Sequence, residues 1–372
     1  MVITEVRDKQ GVKNFLNITK TIYKNDPIYV RPLDIDIEKV FDPKQNIFHK
    51  HGSITRWIAR NEKGECIGRI AAFINLKKAN SYAQPTGGIG FFECIDDQKI
   101  AHVLFETAAI WLKERKMEAM DCPINFGEND TFWGLLVEGF THPSYGMNYN
   151  PPYYKSFFDS YGFNTLYEQI TNHLPVNKPF PERFTKIAEW VSNKPGYTFE
   201  HLQAKQIEKY AGDFVQIYND AWNDFENFVP IDKETILESF KKMKAIMDEK
   251  LIWFSYINGE PASFIVILPD ANQIIKPLKG KLGIIEKLKF LYYKWKGVTR
   301  MRAVVMGTKK AYQKHGLESA MFIKLKEYVL PLNQYQELEL SWVGDFNNKM
   351  LAIHEATGAH FGKKHLTMRK IF

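Results

Sequence analysis

The chain has 372 residues, of which 45% are apolar, 25% charged and 14% aromatic. That length suggests two domains, and so much ring surface excludes disordered, collagenous and low-complexity classes. The formal net charge of +7 is concentrated: between Ile274 and Arg302, seven lysines and two arginines face Glu286 alone, so the rest of the chain is near neutral and no general nucleic-acid binder.

No apolar run approaches the roughly 20 residues of a membrane-spanning helix. The first ten residues carry Glu5, Arg7, Asp8 and Lys9, which argues against a signal peptide. Cys66, Cys94 and Cys122 form neither a CxxC pair nor an even disulfide set, which fits a reduced, cytoplasmic setting.

Phe15, Ile18, Ile22 and Tyr23 recur at helical spacing. Two strands are expected over 54–60 and 66–75, around the turn residues Asn61 and Gly64, and a third over 89–95. A helix over 99–116, a strand over 117–124, a helix near 153–161 and a strand near 166–173 complete a first half. Pro175, Pro179, Pro181 and Pro195 then mark a linker, 174–198, with one short helix. The order repeats in 199–372: helices through Phe214 and Phe240, strands over 251–257 and 262–268 around Asn258-Gly259, and a strand over 301–307. A helix over 317–329, a strand over 337–343, a helix over 349–356 and a strand over 360–369 follow. We therefore divide the chain into 1–173, a linker at 174–198, and 199–372. The element order predicts an α/β class with a mixed sheet, of the α+β kind.

The chemistry starts at residues 301–328, where an apolar strand runs through a polar loop and a glycine into a long helix. Such a helix N-terminus offers unpaired N–H groups and a positive dipole end to an anion. The loop reads Gln313-Lys314-His315-Gly316-Leu317-Glu318. Downstream, a strand precedes Asn347, a helix carries His354, and Gly358 follows. In these features the chain resembles the GNAT superfamily of N-acyltransferases, well over about 200–372 and by element order in the first half. The resemblance implies two GNAT-like domains in tandem and acyl-CoA or acetyl-CoA as donor, with no metal. It assigns the donor's pyrophosphate to Gln313, Lys314, His315, Gly316, Leu317 and Glu318, with Asn347 nearby. It assigns the thioester carbonyl to the backbone of Val305, Met306 and Gly307. The first half's corresponding loop, Asp96-Asp97-Gln98-Lys99, has no glycine and two carboxylates, so it reads as degenerate.

Glu318 departs from the family's small residue. Either it caps backbone N–H groups and points away, or the donor differs from a standard CoA. The resemblance gives His354 the place of the acid that protonates the leaving thiolate, and histidine can do this near neutral pH. The alternative is a packed histidine. Glu226 and Asp345 are the candidate bases for the amine, each also readable as a solvated carboxylate. Asn125, Tyr145, Asn148, Asn150 and Tyr154 follow a strand end in the first half and form a candidate acceptor pocket, or an aromatic loop that only packs the domains together.

Other patterns fail. His354-Glu355 lacks the second histidine of HExxH, and neither GxSxG nor a Walker A loop occurs. In 274–302 aromatic and aliphatic residues interleave with the lysines. That pattern suits peripheral contact with an anionic membrane at its inner face, or a solvated lysine face over a packed helix. The leading expectation is an N-acyltransferase acting on the amine of a small or lipid-like acceptor. The alternatives are a non-catalytic GNAT-fold protein binding a ligand or partner, and an aminoacyl-tRNA-dependent transferase. The second would need a wider basic surface, so no specific nucleic acid is expected.

Overall fold

A computed structural model describes the chain except for residues 225–229. Among the described residues thirteen strands form one sheet. In chain order they are β1 (Val2–Glu5), β2 (Gly52–Arg60), β3 (Cys66–Asn75), β4 (Thr86–Cys94), β5 (Ala119–Cys122), β6 (Leu135–Glu138) and β7 (Asn164–Pro175). The second half adds β8 (Tyr197–His201), β9 (Ile252–Ile257), β10 (Glu260–Pro269), β11 (Arg300–Thr308), β12 (Glu337–Gly344) and β13 (His360–Ile371). The helices of the first half are α1 (Lys9–Asn17), α2 (Thr19–Ile22), α3 (Asp34–Phe41), α4 (Leu76–Ala79), α5 (Gln98–Lys113) and α6 (Tyr154–Tyr161). They are followed by α7 (Glu182–Ser192), α8 (Ile207–Trp222), α9 (Lys233–Met243), α10 (Asn272–Ile275), α11 (Ile284–Lys296), α12 (Leu317–Leu332) and α13 (Asn348–Ala356).

Local chemistry explains the repeated units. Asn61 closes the β2–β3 turn by accepting from the N–H groups of Lys63 and Glu65, and Gly64 supplies the positive φ the turn needs. In α5, Ile100, Leu104, Phe105, Ala108 and Leu112 recur at helical spacing and bury one face on the sheet. Gly162, at φ +92°, ends α6 in the left-handed conformation.

The strand order is β1-β2-β3-β4-β5-β13-β7-β12-β11-β10-β9-β8, with β6 paired to β13. Among the described residues only β4–β5 and β11–β12 are parallel. The two halves thus trade their last strands. β13 closes the first half beside β5 and delivers Leu366 and Met368 to its core. β7 closes the second half beside β12, where Leu174 joins the second core. The division of the chain at 174–198 is a proposal about sequence organisation; that segment contains α7, while β7 and β13 carry the sheet across it. Among the described residues no helix is long and apolar enough to cross a membrane.

The expected elements are present, with shifts at their ends. β4 begins at Thr86, not at 89, because Thr86 and Gly87 already pair with β5. α5 stops at Lys113, and Lys116 turns the chain at φ +64°. β1, β6, β8, α3, α4 and α10 were not expected.

Candidate active site

The two parallel strand pairs differ: beyond Gly88–Asp121 the first stays closed, Ile124 N–H bonding Ile89 O at 2.9 Å, whereas the second opens partway along its length. β11 and β12 pair from Arg300–Glu337 to Ala303–Leu340, and beyond this no pairing joins them. On its other edge β11 is bulged: Val305 faces Val266 and Ala303 faces Ile267, which leaves Val304 as the extra residue at the opening. Val305, Met306 and Gly307 lie on the free stretch. Gly307 has a second use, since a Cβ there would collide with the Trp222 ring of α8.

The loop after β11 presents an open helix terminus. Gly316 sits at the N-cap of α12 with φ +76°, and no side chain caps the first turn. The N–H groups of that turn are therefore left for an anion. Lys314 is exposed at φ +68° with no partner among the described residues, whereas Lys309 pairs with Glu260 and Lys310 with Asp224. Gln313 accepts from Lys349 at 3.2 Å, and His315 Nδ1 lies 2.8 Å from the Tyr197 hydroxyl. Leu317 is fully buried. Glu318 does not cap the helix: its carboxylate accepts from the Thr308 hydroxyl at 2.6 Å, which ties the end of β11 to α12.

The same position in the first half is closed. Asp97 accepts from the N–H groups of Lys99 and Ile100 at 2.9 and 3.3 Å, so a carboxylate occupies the anion position of α5. Asp97→Ala should cost about 1 kcal/mol of stability and leave acyl-CoA affinity unchanged. A urea titration and calorimetry check the two halves of that statement.

His354 is 4% exposed on α13. Its Nδ1 takes a hydrogen bond of 3.1 Å from the Asn172 amide of β7, and burial lowers its pKa to about 4. The ring is therefore neutral at pH 7 and offers only an Nε2–H. Asn347 caps α13 by accepting from Met350 N–H at 3.2 Å. Asp345 is exposed just past β12. Glu226 lies outside the described residues.

The acceptor candidates divide. Asn148, Asn150 and Tyr154 line a cavity in the first half with Tyr29, Phe91 and Phe132. Asn150 is committed to the backbone of Leu136, and Asn148 donates to Gly134 O. Asn125 and Tyr145 are not part of this wall; Asn125 is buried, and the Tyr145 hydroxyl donates to Asp36 at 2.7 Å. At one end of the cavity Glu93 accepts from Tyr23 and Tyr154 at 2.9 and 2.8 Å, with Arg69 at 3.5 Å. Burial raises the Glu93 pKa against the pull of Arg69.

The sequence reading missed the seam between the halves. Glu339 of β12 is buried with Lys363 of β13 at 2.5 Å, Arg300 of β11 at 3.3 Å and His173 of β7 at 3.5 Å. A Glu-Leu-Glu-Leu strand and a lysine in the last strand were its sequence signal, because charges on buried strand faces are paired. Arg302, at the foot of the β11–β12 opening, donates to Ser341 of β12 at 2.8 Å and to Tyr145 O of the first half at 2.6 Å. Asp130 is within electrostatic reach of Arg302, and Tyr218 of α8 is within reach of Asp130. Asp130 is solvent-accessible, yet desolvation raises its pKa. Among the described residues no group of His, Cys, Asp and Glu is arranged to hold a metal ion.

Two α/β units in one sheet, each with one parallel strand pair, match the fold of tandem GNAT proteins. A tandem GNAT protein from the clavulanic acid biosynthesis pathway superposes with a TM-score of 0.58 at 12% identity, over 100% of this chain and 98% of that one. A GCN5-related N-acetyltransferase from Sphaerobacter thermophilus gives 0.54 at 9% identity, over 100% and 95%. By sequence, the chain is 29% identical to the bacterial ceramide synthase of Caulobacter vibrioides, over 99% of this chain and 97% of that protein. It is 26% identical to Protein YghO of Escherichia coli K12, over 98% and 93%. No family model matches the chain.

Proposed function

We propose that the protein transfers an acyl group from acyl-CoA to the amine of a lipid-like acceptor. The observation that carries this reading is the uncapped α12 terminus at Gly316 beside the β11–β12 opening, against the Asp97-capped terminus of the other half. The pyrophosphate would take the first-turn N–H groups of α12 with Lys314, and the thioester would lie along Val305–Gly307. The full-length relative named a ceramide synthase supports an acceptor that is a long-chain amino alcohol, since ceramide is the amide of one.

In the reaction the amine nitrogen attacks the thioester carbon, the C–S bond breaks and an amide forms. One ammonium proton must leave before attack, and the CoA thiolate must gain one. Asp130 is the carboxylate we assign to the first task, because it lies within electrostatic reach of Arg302 at the foot of the opening. Its raised pKa suits a base. His354, as a neutral ring, can offer only an N–H to the departing sulfur.

The experiment is to incubate purified protein with acetyl-CoA or palmitoyl-CoA and a long-chain amino alcohol, and to follow amide by mass spectrometry. Amide formation is expected, and Asp130→Asn should lower turnover by roughly 10²–10⁴ with little change in acyl-CoA affinity. No amide from any pair, together with no binding of CoA, defeats the reading.

A further inference from the structure

Among the described residues α11 stands apart from every other α-helix: none of its residues is buried. Ile284, Leu288, Leu291 and Trp295, spaced four, three and four residues apart, form one stripe, 82%, 63%, 61% and 83% exposed. Ile285 and Tyr292 widen it on one side. The opposite face touches the protein through Phe290 and Tyr293, which pack on the second core. The apolar stripe therefore points straight away from the molecule. At roughly 100° per residue, Lys287 and Lys294 border it on one side, and Lys289 and Lys296 on the other. None of these four lysines has a partner among the described residues.

We propose that α11 is a membrane-docking helix that lies in the surface of an anionic bilayer. An apolar strip between two rows of unpaired lysines matches a lipid surface: the strip enters the acyl boundary while the lysines extend to the phosphate level. Each lysine near such a surface contributes up to about 1 kcal/mol. The charge count from sequence needs revising here, because Arg300 and Arg302 turn inward to Glu339 and Ser341 and do not belong to this surface.

The placement also favours a lipid over a protein partner. The segment before α11 is fastened to residues 27–34 of the first half: Lys276 bonds Pro27 O at 2.5 Å, and Gly280 O accepts from Asp34 N–H at 2.7 Å. Val30 and Leu33 share a small apolar cluster with Ile275, Leu278 and Phe290. Tyr29, Val30 and Pro32 of that same loop line the first-half cavity. A bilayer under α11 therefore adjoins the loop that walls a cavity. The docking itself does not depend on the acyl-transfer reading.

The test is flotation of the full-length protein with vesicles of phosphatidylcholine alone or with about one-third phosphatidylglycerol, at about 0.05 and 0.5 M salt. Neither CoA nor acceptor is present, so the outcome is separate from that of the activity assay. Binding to the anionic vesicles should exceed that to neutral ones at least tenfold and weaken at high salt. Leu288→Asp with Trp295→Asp should reduce it at least tenfold, and Lys287→Glu with Lys294→Glu should remove the preference for anionic lipid. All four side chains are surface groups, so thermal unfolding should be unchanged. Equal binding by wild type and the Asp variant, or none to any vesicle, overturns the proposal. So does a wild-type dimer that the Asp variant makes monomeric without vesicle binding, since the stripe would then seat a second copy.

Discussion

Gly316→Asp is expected to weaken acyl-CoA binding at least tenfold, about 1.4 kcal/mol, and by more than Gly316→Ala does. Two effects must be separated. At φ +76° any side chain is strained, and a Cβ there would lie 2.9 and 3.0 Å from methyl carbons of Ile187 and Val191 on α7. The alanine variant carries both penalties, and it reports them as lost stability and as whatever distortion of the loop they cause. The aspartate variant adds a carboxylate at the helix terminus where the pyrophosphate would sit. Asp97 already shows, in the first half, a carboxylate taking those N–H groups for itself. Calorimetry with CoA and acetyl-CoA, beside thermal melts of both variants, resolves the two effects. Affinity in Gly316→Asp equal to that in Gly316→Ala would place the donor elsewhere.

The contrast between Gly316 and Asp97 was legible in sequence because capping is local. A glycine before an apolar helix and an aspartate before another declare opposite termini within four residues. The helices and hairpins were legible for the same reason. The exchange of β7 and β13 was not, since alternation says which face of a strand is buried and nothing about its neighbour in the sheet. β1 and β8 are short edge strands with little burial to create a pattern. Asp130, Arg302 and Tyr218 come from three distant segments, so no spacing connects them. α11 shows a different limit: its stripe has the periodicity of a packed helix, and only the fold reveals that the stripe faces outward. For Glu318, the sequence offered a capping role, but Thr308 is a better partner because the loop brings its hydroxyl to 2.6 Å.

Acidification between about pH 6.5 and pH 4 should cost the fold several kcal/mol, through His354 and His365. Burial moves both rings from 6.5 to about 4. His365 donates Nε2–H to Asn148 O at 3.0 Å and leaves Nδ1 buried without a partner, while His354 uses its Nδ1 to accept from Asn172. Both are built as neutral rings. In that pH window the unfolded chain binds protons that the folded chain refuses, so stability falls as pH falls. Each displacement corresponds to on the order of 3 kcal/mol. His173 has the opposite sign: burial lowers its pKa, but Glu337 and Glu339 outweigh that and raise it, so its contribution is lost on going alkaline. Glu93, Asp121 and Asp270 are raised by burial and take up protons early in the fold, which offsets part of the acid loss. Variants isolate the histidines from these groups. Urea midpoints at pH 7 and about pH 4.5 should differ less in His354→Gln with His365→Gln than in wild type. The same variants bear on catalysis, because a ring that titrates near 4 cannot act as an imidazolium at pH 7. The turnover of wild type should therefore show no limb near pH 6.5 that His354→Gln abolishes. A wild-type midpoint as acid-tolerant as that of the double variant would mean these rings are not held neutral.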